Sequence, residues 1–564
     1  MRITDKIDLL YPDGRAKKYA ERRRKEQREL PQEYLDDLEA YRTAVQLLPR
    51  QPEAVMNLMR EFSDDIPTLE YRLDCLEDYL RESRLADVLR PIIRRLSDNN
   101  TALGELRGEA DSFMEIHLRM QQLSEFISCV EDVKKLWDRI GKGLRSQAMK
   151  GLFGYFSALD RDPAYAEMKE ELAALSQTFS HTVRSVRIGI NFDHRMIPVS
   201  CGLIEVSDDK VYPRSGILDK LIFRGGKGRE QFIGEEHINA EVQNLAPDLD
   251  TALFKALGKY TREFAQRIAD ALNSRRQFFL EDIGTLEHQL DFYEGAARMI
   301  RYVRSRGLEM CRPGLLPAEA RCTEAEGLFD LLLFRQTANA DSSARGEELV
   351  VTNSLTLGSR ARFMLVTGVN AGGKTTFARA YGMCRLLAQC GLYVPAAKAR
   401  LSVCDHIYTH FPKEETAGIN TSRFTEEVRQ LAVICGSITP FSAVIMNESL
   451  QSTTPEECLD IAGKHLEIMA AAGASGMYVT HLNSLYDKAD GINRKNYPSR
   501  IGSLVAEADG DTGRRSYRLT ERPPLPRSMA EAVYEKYGAR LSDVIDRVRQ
   551  TAAAASEDTE KAVI

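Results

Sequence analysis

Between Phe363 and Phe377 the chain reads FMLVTGVNAGGKTTF, an apolar strand pattern, a glycine-rich turn and a helix start in one block. Gly368, Gly373, Lys374 and Thr375 fit G-x-x-x-x-G-K-[ST], with Asn370, Gly372 and Thr376 completing the lining of the loop. The chemistry is phosphate binding. Glycines let the backbone fold around β- and γ-phosphates, successive N–H groups and a helix N-terminus face the anion, Lys374 adds charge and Thr375 can ligate Mg²⁺. A glycine-rich turn with a solvated lysine is the competing reading. The apolar run Phe363 to Val366 before the loop and the helical pattern Phe377, Tyr381, Leu386 after it favour a site for ATP and Mg²⁺.

Such a loop needs a second strand end to hold the metal and orient water. The apolar run Phe441 to Met446 ends in Asn447 and Glu448, at the place expected for an Asp-Glu pair. Glu448 is the expected base or water-positioning group. Asn447 can accept from a metal-bound water but brings no charge. A further strand candidate, Gly476 to Thr480, ends at His481, where it could contact a γ-phosphate or the attacking water. A helix-capping Asn-Glu and a surface-loop histidine are the plainer alternatives.

The elements that must position these residues belong to a chain of 564 residues, long enough for about three to five domains. Hydrophobic content of 43% and charged content of 28% are those of a soluble globular protein. There is no apolar run of about eighteen residues and no export signal, so a cytoplasmic protein without a membrane span is expected. The ten cysteines form no C-x-x-C pair and read as reduced thiols. The net charge of −6 confines any nucleic-acid contact to local patches. Arg15 to Arg28 and the loop Arg224 to Arg229 are the two candidates, each equally readable as a solvated face or a hairpin tip.

Residues 1–60 read as an N-terminal helical segment and 61–340 as a helical core and lever, with a strand-containing, clamp-like insertion near 183–238. Leu69, Leu73, Leu76 and Leu80 give one apolar face, and Met114, Ile116, Met120 and Leu123 another. Trp137 reads as core. From Phe264 to Val303 apolar residues recur at helical spacing, and about fifty helical residues would reach about 75 Å before Pro313, Gly314 and Pro317 end them. The α/β nucleotide domain is expected over 341–526 and a helical dimerisation segment over 527–564, with Met529, Val533, Tyr534 and Leu541 as apolar contacts.

The nucleotide block resembles the ATPase domain of the MutS family of DNA mismatch-repair proteins. TGVNAGGKTTFAR is similar to its phosphate loop, GLYVPAAKARLSVCDHIYT to its G-x-[FY]-V-P-A segment, and TSRFTEEVRQLAVIC to its signature S-T-F-x-x-E-M helix. IMNESLQSTT resembles its Walker B strand end, and VTHLNSL its T-H motif. The resemblance implies an ABC-type P-loop fold and a DNA-binding homodimer that acts on duplex or branched DNA. It also implies a place near adenine for Asn353 in VVTNSLTL, and an approach of Ser422 to the partner's γ-phosphate.

The chain departs from the family pattern in three ways. Asn447 replaces aspartate, Arg423 interrupts the signature S-T-F, and no counterpart of the N-terminal mismatch-recognition domain with its Phe-x-Glu wedge is seen. A C-terminal nuclease-like domain is likewise not seen. Another ABC-type chromosome ATPase would carry L-S-G-G-Q, which TSRFTEEV is not. A nucleotide-binding scaffold without hydrolysis, acting through protein partners, is the alternative that Asn447 keeps open.

Overall fold

The computed structural model describes residues 7–26, 28–105, 113–182, 185–192, 194–195, 198–207, 283–412, 423–450, 454–508, 515–524 and 542–551. The chain forms two compact units, one of Met1–Leu9 with Arg81–Leu290, the other of Leu10–Leu80 with Asp291–Ile564. No described helix is long and apolar enough to cross a membrane.

The chain opens with α1 (Gly14–Lys25), α2 (Gln32–Asp37), α3 (Ala40–Leu47), α4 (Pro52–Glu61) and α5 (Ile66–Arg81). Asp13 caps α1, accepting from the Arg15 and Ala16 amides. In α5, Leu69, Leu73 and Leu76 are fully buried on the face their spacing defines.

The first unit is built on α6 (Arg90–Glu105), α7 (Phe113–Ile140), α8 (Gln147–Asp160) and α9 (Pro163–Thr182), followed by β1 (Ser185–Phe192) and β2 (Pro198–Ser207). The α7 segment has no proline and is rich in good helix formers, so it runs for 28 residues. It packs against α6 and α8 with Leu123, Phe126, Val130 and Val133 buried, as are Ile93 and Leu96 of α6 and Leu152 and Phe156 of α8. Trp137 packs on Phe153 with ring centroids 5.2 Å apart. The strands pair antiparallel from Ser185↔Ser207 to Phe192↔Pro198. The rest of the expected insertion, including Arg224 to Arg229, lies outside the described residues.

The described part of the expected lever is α10 (Ile283–Ser305), with Leu286, Leu290, Tyr293 and Val303 buried at helical spacing. The helix stops earlier than Pro313. Gly307 takes φ +81 and the Leu308 amide turns back to Val303 O at 3.3 Å, so a left-handed glycine ends it.

The second unit holds two sheets, with α11 (Leu331–Ala340) neighbouring α3. The smaller sheet comprises β3 (Gly314–Leu316), β4 (Thr323–Leu328), β5 (Asn353–Leu357) and β7 (Lys398–Ser402), ordered β3-β7-β4-β5. The larger comprises β6 (Phe363–Gly368), β8 (Ile407–His410), β9 (Ala443–Asn447), β10 (Ser475–Val479), β11 (Ile501–Ala508) and β12 (Arg515–Glu521), ordered β12-β11-β6-β10-β9-β8. Every pairing in it is parallel except β11 with β12. The β9 run and β6 as far as Thr367 are buried throughout, as a sheet covered on both faces requires.

One face carries α12 (Lys374–Ala388); the other carries α13 (Arg423–Ser437), α14 (Pro455–Ala472) and α15 (Leu485–Asn493). Phe363, Leu365, Val444, Met446 and Tyr478 form a single core with Leu431, Leu466, Met469 and Ile492 from those three helices.

Leu10–Leu80 belongs to this unit. A Cβ on Gly382 of α12 would lie 2.4 Å from the Leu38 side chain, which fills that notch. Thr409 Oγ1 donates to Asp37 at 2.7 Å, and Arg379 pairs with Glu39 at 2.8 Å. Arg72 is fully buried, paired with Glu61 at 3.1 Å and donating to Leu10 O and Cys390 O. The α2 helix therefore covers β8, the strand at the edge of the sheet.

Candidate functional site

Glycine at three loop positions is dictated by close approach. A Cβ on Gly368 (φ +117) would lie 2.4 Å from Ala506 O, and one on Gly372 2.9 Å from Val369 O. Gly373 (φ +87) is the N-cap of α12 and supplies no side-chain cap. The first-turn N–H groups of that helix, including those of Lys374, Thr375 and Thr376, have no acceptor within the helix and point out of its N-terminus. Asn370 stands exposed at the tip of the loop, beside Ala371 at φ +54. This cradle fits a polyphosphate.

Lys374 is 4% exposed and donates to Gly368 O at 3.0 Å and Val369 O at 2.9 Å. Burial pushes its ammonium below the ordinary value, and Glu448 pulls weakly the other way. Thr375 Oγ1 donates to Asn447 Oδ1 at 2.9 Å, which places the loop hydroxyl against the end of β9. The two oxygens suit a hard cation held partly through its own water shell, so the residues present fit Mg²⁺.

Glu448 follows at φ +49, its amide donating to Val479 O at 2.8 Å. His481 Nε2 lies 2.5 Å from Glu448 Oε1, and His481 Nδ1 lies 3.5 Å from Lys374 Nζ. The C-terminal ends of β6, β9 and β10 thus bring Lys374, Thr375, Asn447, Glu448 and His481 into one cluster.

Several residues of this site have no signal in the motifs. Glu427 of α13, 7% exposed, accepts from the Leu450 amide at 2.8 Å. His410 Nδ1 lies 2.7 Å from Ser449 Oγ, and Tyr478 OH donates to Ser449 O at 3.3 Å. The segment Glu448–Leu450 is held from three elements, and Leu450 also has positive φ (+70). Tyr517, at φ +57 and 44% exposed, sets its ring beside Gly373, with Cδ1 3.5 Å from where a Cβ there would lie. Of the eight non-glycine residues with positive φ among the described residues, Ala371, Glu448, Leu450 and Tyr517 border this cluster, so half of the strained backbone lies here.

Asn353 begins β5 with both amide atoms engaged by β12: Nδ2 donates to Tyr517 O at 3.0 Å and Oδ1 accepts from the Leu519 amide at 2.8 Å. It ties the small sheet to the strand carrying Tyr517. Ser422, Met529, Val533, Tyr534 and Leu541 lie outside the described residues. In the N-terminal basic stretch Arg23 is buried against Asp64 at 2.6 Å, while Arg24 pairs with Glu29 and Arg22 and Arg28 with Glu26. Those four guanidiniums serve local structure.

Comparison with known proteins matches residues 364–509 to the family described as MutS domain V and residues 64–306 to the MutS2 N-terminal domain. The endonuclease MutS2 of Thermomicrobium roseum is 26% identical over 481 residues, 84% of this chain and 57% of that protein. The endonuclease MutS2 of Thermus thermophilus is 32% identical over 209 residues, 35% of this chain and 28% of that protein. The DNA mismatch repair protein MutS of Thermotoga petrophila is 33% identical over 199 residues, 35% of this chain and 24% of that protein. The chain thus spans little more than half the length of the first relative and about a quarter of the other two.

Proposed function

We propose that this chain, which belongs to the MutS family as a divergent member, couples ATP binding and hydrolysis to engagement of duplex or branched DNA in repair or recombination. The observation that carries the reading is the convergence of Lys374, Thr375, Asn447, Glu448 and His481 at the ends of three parallel strands. Lys374 exchanges its two carbonyl acceptors for phosphate oxygens, and the N–H groups of the loop and first turn hold the remaining charge. Thr375, and Asn447 through water, would hold Mg²⁺, which when bound would supply positive charge to offset that of the phosphates. Glu448 orients the attacking water and takes its proton, with His481 holding the carboxylate in place. The Tyr517 ring is placed to stack on the base, and Asn353 positions it by fixing the β12 backbone.

ABC-type assembly of two copies would complete the site, with Ser422 and the start of α13 facing the partner's nucleotide. The exposure of Val544 (40%), Ile545 (39%) and Val548 (62%) on the helical stretch 542–551 supports a partner at the C-terminal segment.

A second reading is favoured by Asn447: a nucleotide-bound scaffold with little hydrolysis that works through protein partners. Steady-state ATPase with and without DNA separates the two. Turnover stimulated by DNA supports the first; tight ATP binding with no turnover under either condition supports the second.

A further inference from the structure

At the end of the large sheet opposite the glycine-rich loop, four arginines gather, none of them ion-paired among the described residues. Arg362 and Arg500 immediately precede β6 and β11, which run parallel in the register Phe363↔Ile501, so they occupy facing positions on neighbouring strands. The amides of Arg362 and Phe363 both donate to Arg500 O, at 3.1 and 3.2 Å. Like charges set side by side on adjacent strands repel, and the repulsion is relieved only by an intervening anion or by solvent. Arg321, itself at φ +48, comes in from the small sheet and donates to Gly473 O, while Arg362 donates to Pro498 O. Gly473 and Pro498 are neighbours, a Cβ on Gly473 lying 3.2 Å from Pro498 Cβ, so the two guanidiniums meet over one small patch.

The pair is underused. The Nε atoms of Arg321 and Arg362 are both buried without a hydrogen-bond acceptor. Burial, then the charge of Arg362, lowers the pKa of Arg321. Arg360, on the turn closed by the Gly358 amide to Ala361 O, and Arg500 flank the pair and are exposed. Among the described residues none of the four makes an ion pair, in a protein whose net charge is −6.

We propose that Arg321, Arg360, Arg362 and Arg500 form a surface that holds backbone phosphates of a nucleic acid, at the opposite end of the sheet from the ATP site. Guanidinium forks match phosphate oxygens two at a time. An acidic peptide would draw on apolar anchors as well, yet none of the exposed large hydrophobic residues lies within two positions of these arginines in sequence. A backbone of phosphates needs charge alone, and two exposed arginines flanking a half-buried pair suit an extended anion better than an enclosed one.

The proposal rests on the reading of the chain as a DNA-binding protein, and one experiment separates the two. Binding of a fluorescent DNA duplex by the full-length protein is titrated from low to high salt, without nucleotide, for the wild type, for Arg362→Gln/Arg500→Gln, and for Arg360→Glu/Arg500→Glu, whose changes fall on exposed side chains. Both variants should keep wild-type ATPase without DNA, bind roughly tenfold to a hundredfold more weakly near 0.1 M salt, and show a salt slope shallower by about two. DNA binding by the wild type with unchanged affinity and slope in both variants overturns this surface and leaves the proposed function standing. A wild type that binds no DNA overturns both. Titration calorimetry with inorganic phosphate alone is the third arm. Saturable phosphate binding that both variants lose, with DNA binding unaltered, makes this a small-anion site and also overturns the proposal.

Discussion

His481 Nε2 lies 2.5 Å from Glu448 Oε1 while its Nδ1 faces the Lys374 ammonium at 3.5 Å, which together assign the ring a tautomer. A carboxylate accepts and an ammonium only donates, so this geometry fits Nε2 as donor to Glu448 and Nδ1 as acceptor from Lys374. Lysine, histidine and glutamate form one polarised chain across the ends of β6, β10 and β9. It links Lys374 of the glycine-rich loop to the Glu448 carboxylate at the end of β9.

Glu448→Gln should remove turnover and leave ATP bound, because the amide still fits the pocket but cannot take a proton. His481→Ala should lower kcat less, since Glu448 keeps its chemistry and loses only its support; general-base catalysis as a whole is worth roughly a hundredfold to ten-thousandfold. Single-turnover rates with ATP affinities measured in parallel check both, and a Glu448→Gln protein that hydrolyses at the wild-type rate rejects the assignment.

Lys374→Ala should weaken ATP binding by about a hundredfold or more, as two charge-assisted hydrogen bonds at roughly 1.5–3 kcal/mol each disappear. Equilibrium binding of a fluorescent ATP analogue reads this directly. Unchanged affinity would place the nucleotide elsewhere.

The lowered pKa of Lys374 predicts a linkage with a definite sign. Without nucleotide the folded protein holds this proton less tightly than the unfolded chain, so this group alone makes stability rise with pH between the depressed value and the ordinary 10.5. Phosphates favour the charged form, so ATP binding should take up a proton in that alkaline window and weaken as pH rises through it. Calorimetry in buffers of different ionisation heat measures the uptake; proton release would contradict it.

Asn447→Asp should speed hydrolysis. A carboxylate facing Thr375 Oγ1 from 2.9 Å would anchor the metal's water shell with a full charge, where the amide offers one acceptor. A slower Asn447→Asp enzyme in single-turnover experiments with Mg²⁺ would instead mean a pocket built around the amide.

Glu427→Ala should leave ATP affinity near wild type, lower kcat, and destabilise the unit by roughly 1–3 kcal/mol, the cost of leaving the buried Leu450 amide without its acceptor. Glu427→Gln keeps an acceptor and should recover most of both losses. Equal kcat in all three proteins would show that the Glu448–Leu450 segment needs no support from α13.

The phosphate loop and the residues after β9 and β10 were legible in the sequence because each depends on local order: apolar strand, turn, then a polar residue at the strand end. Strand-by-strand reading therefore reaches Lys374, Thr375, Asn447, Glu448 and His481 as separate candidates. Only the sheet order β6-β10-β9 turns them into a cluster, since parallel strands carry their C-terminal ends to one edge whatever their separation in the chain. Glu427 beneath Leu450, Asn353 on the β12 backbone and Tyr517 beside Gly373 have no local signature, because each is defined by a partner far away in sequence. The place of Leu10–Leu80 is of the same kind. Periodicity marks those residues as helical and apolar on one face, but whether that face meets a neighbouring helix or the edge of a distant sheet depends on shape complementarity, and the fit of Leu38 into the notch at Gly382 exists only once the chain has folded.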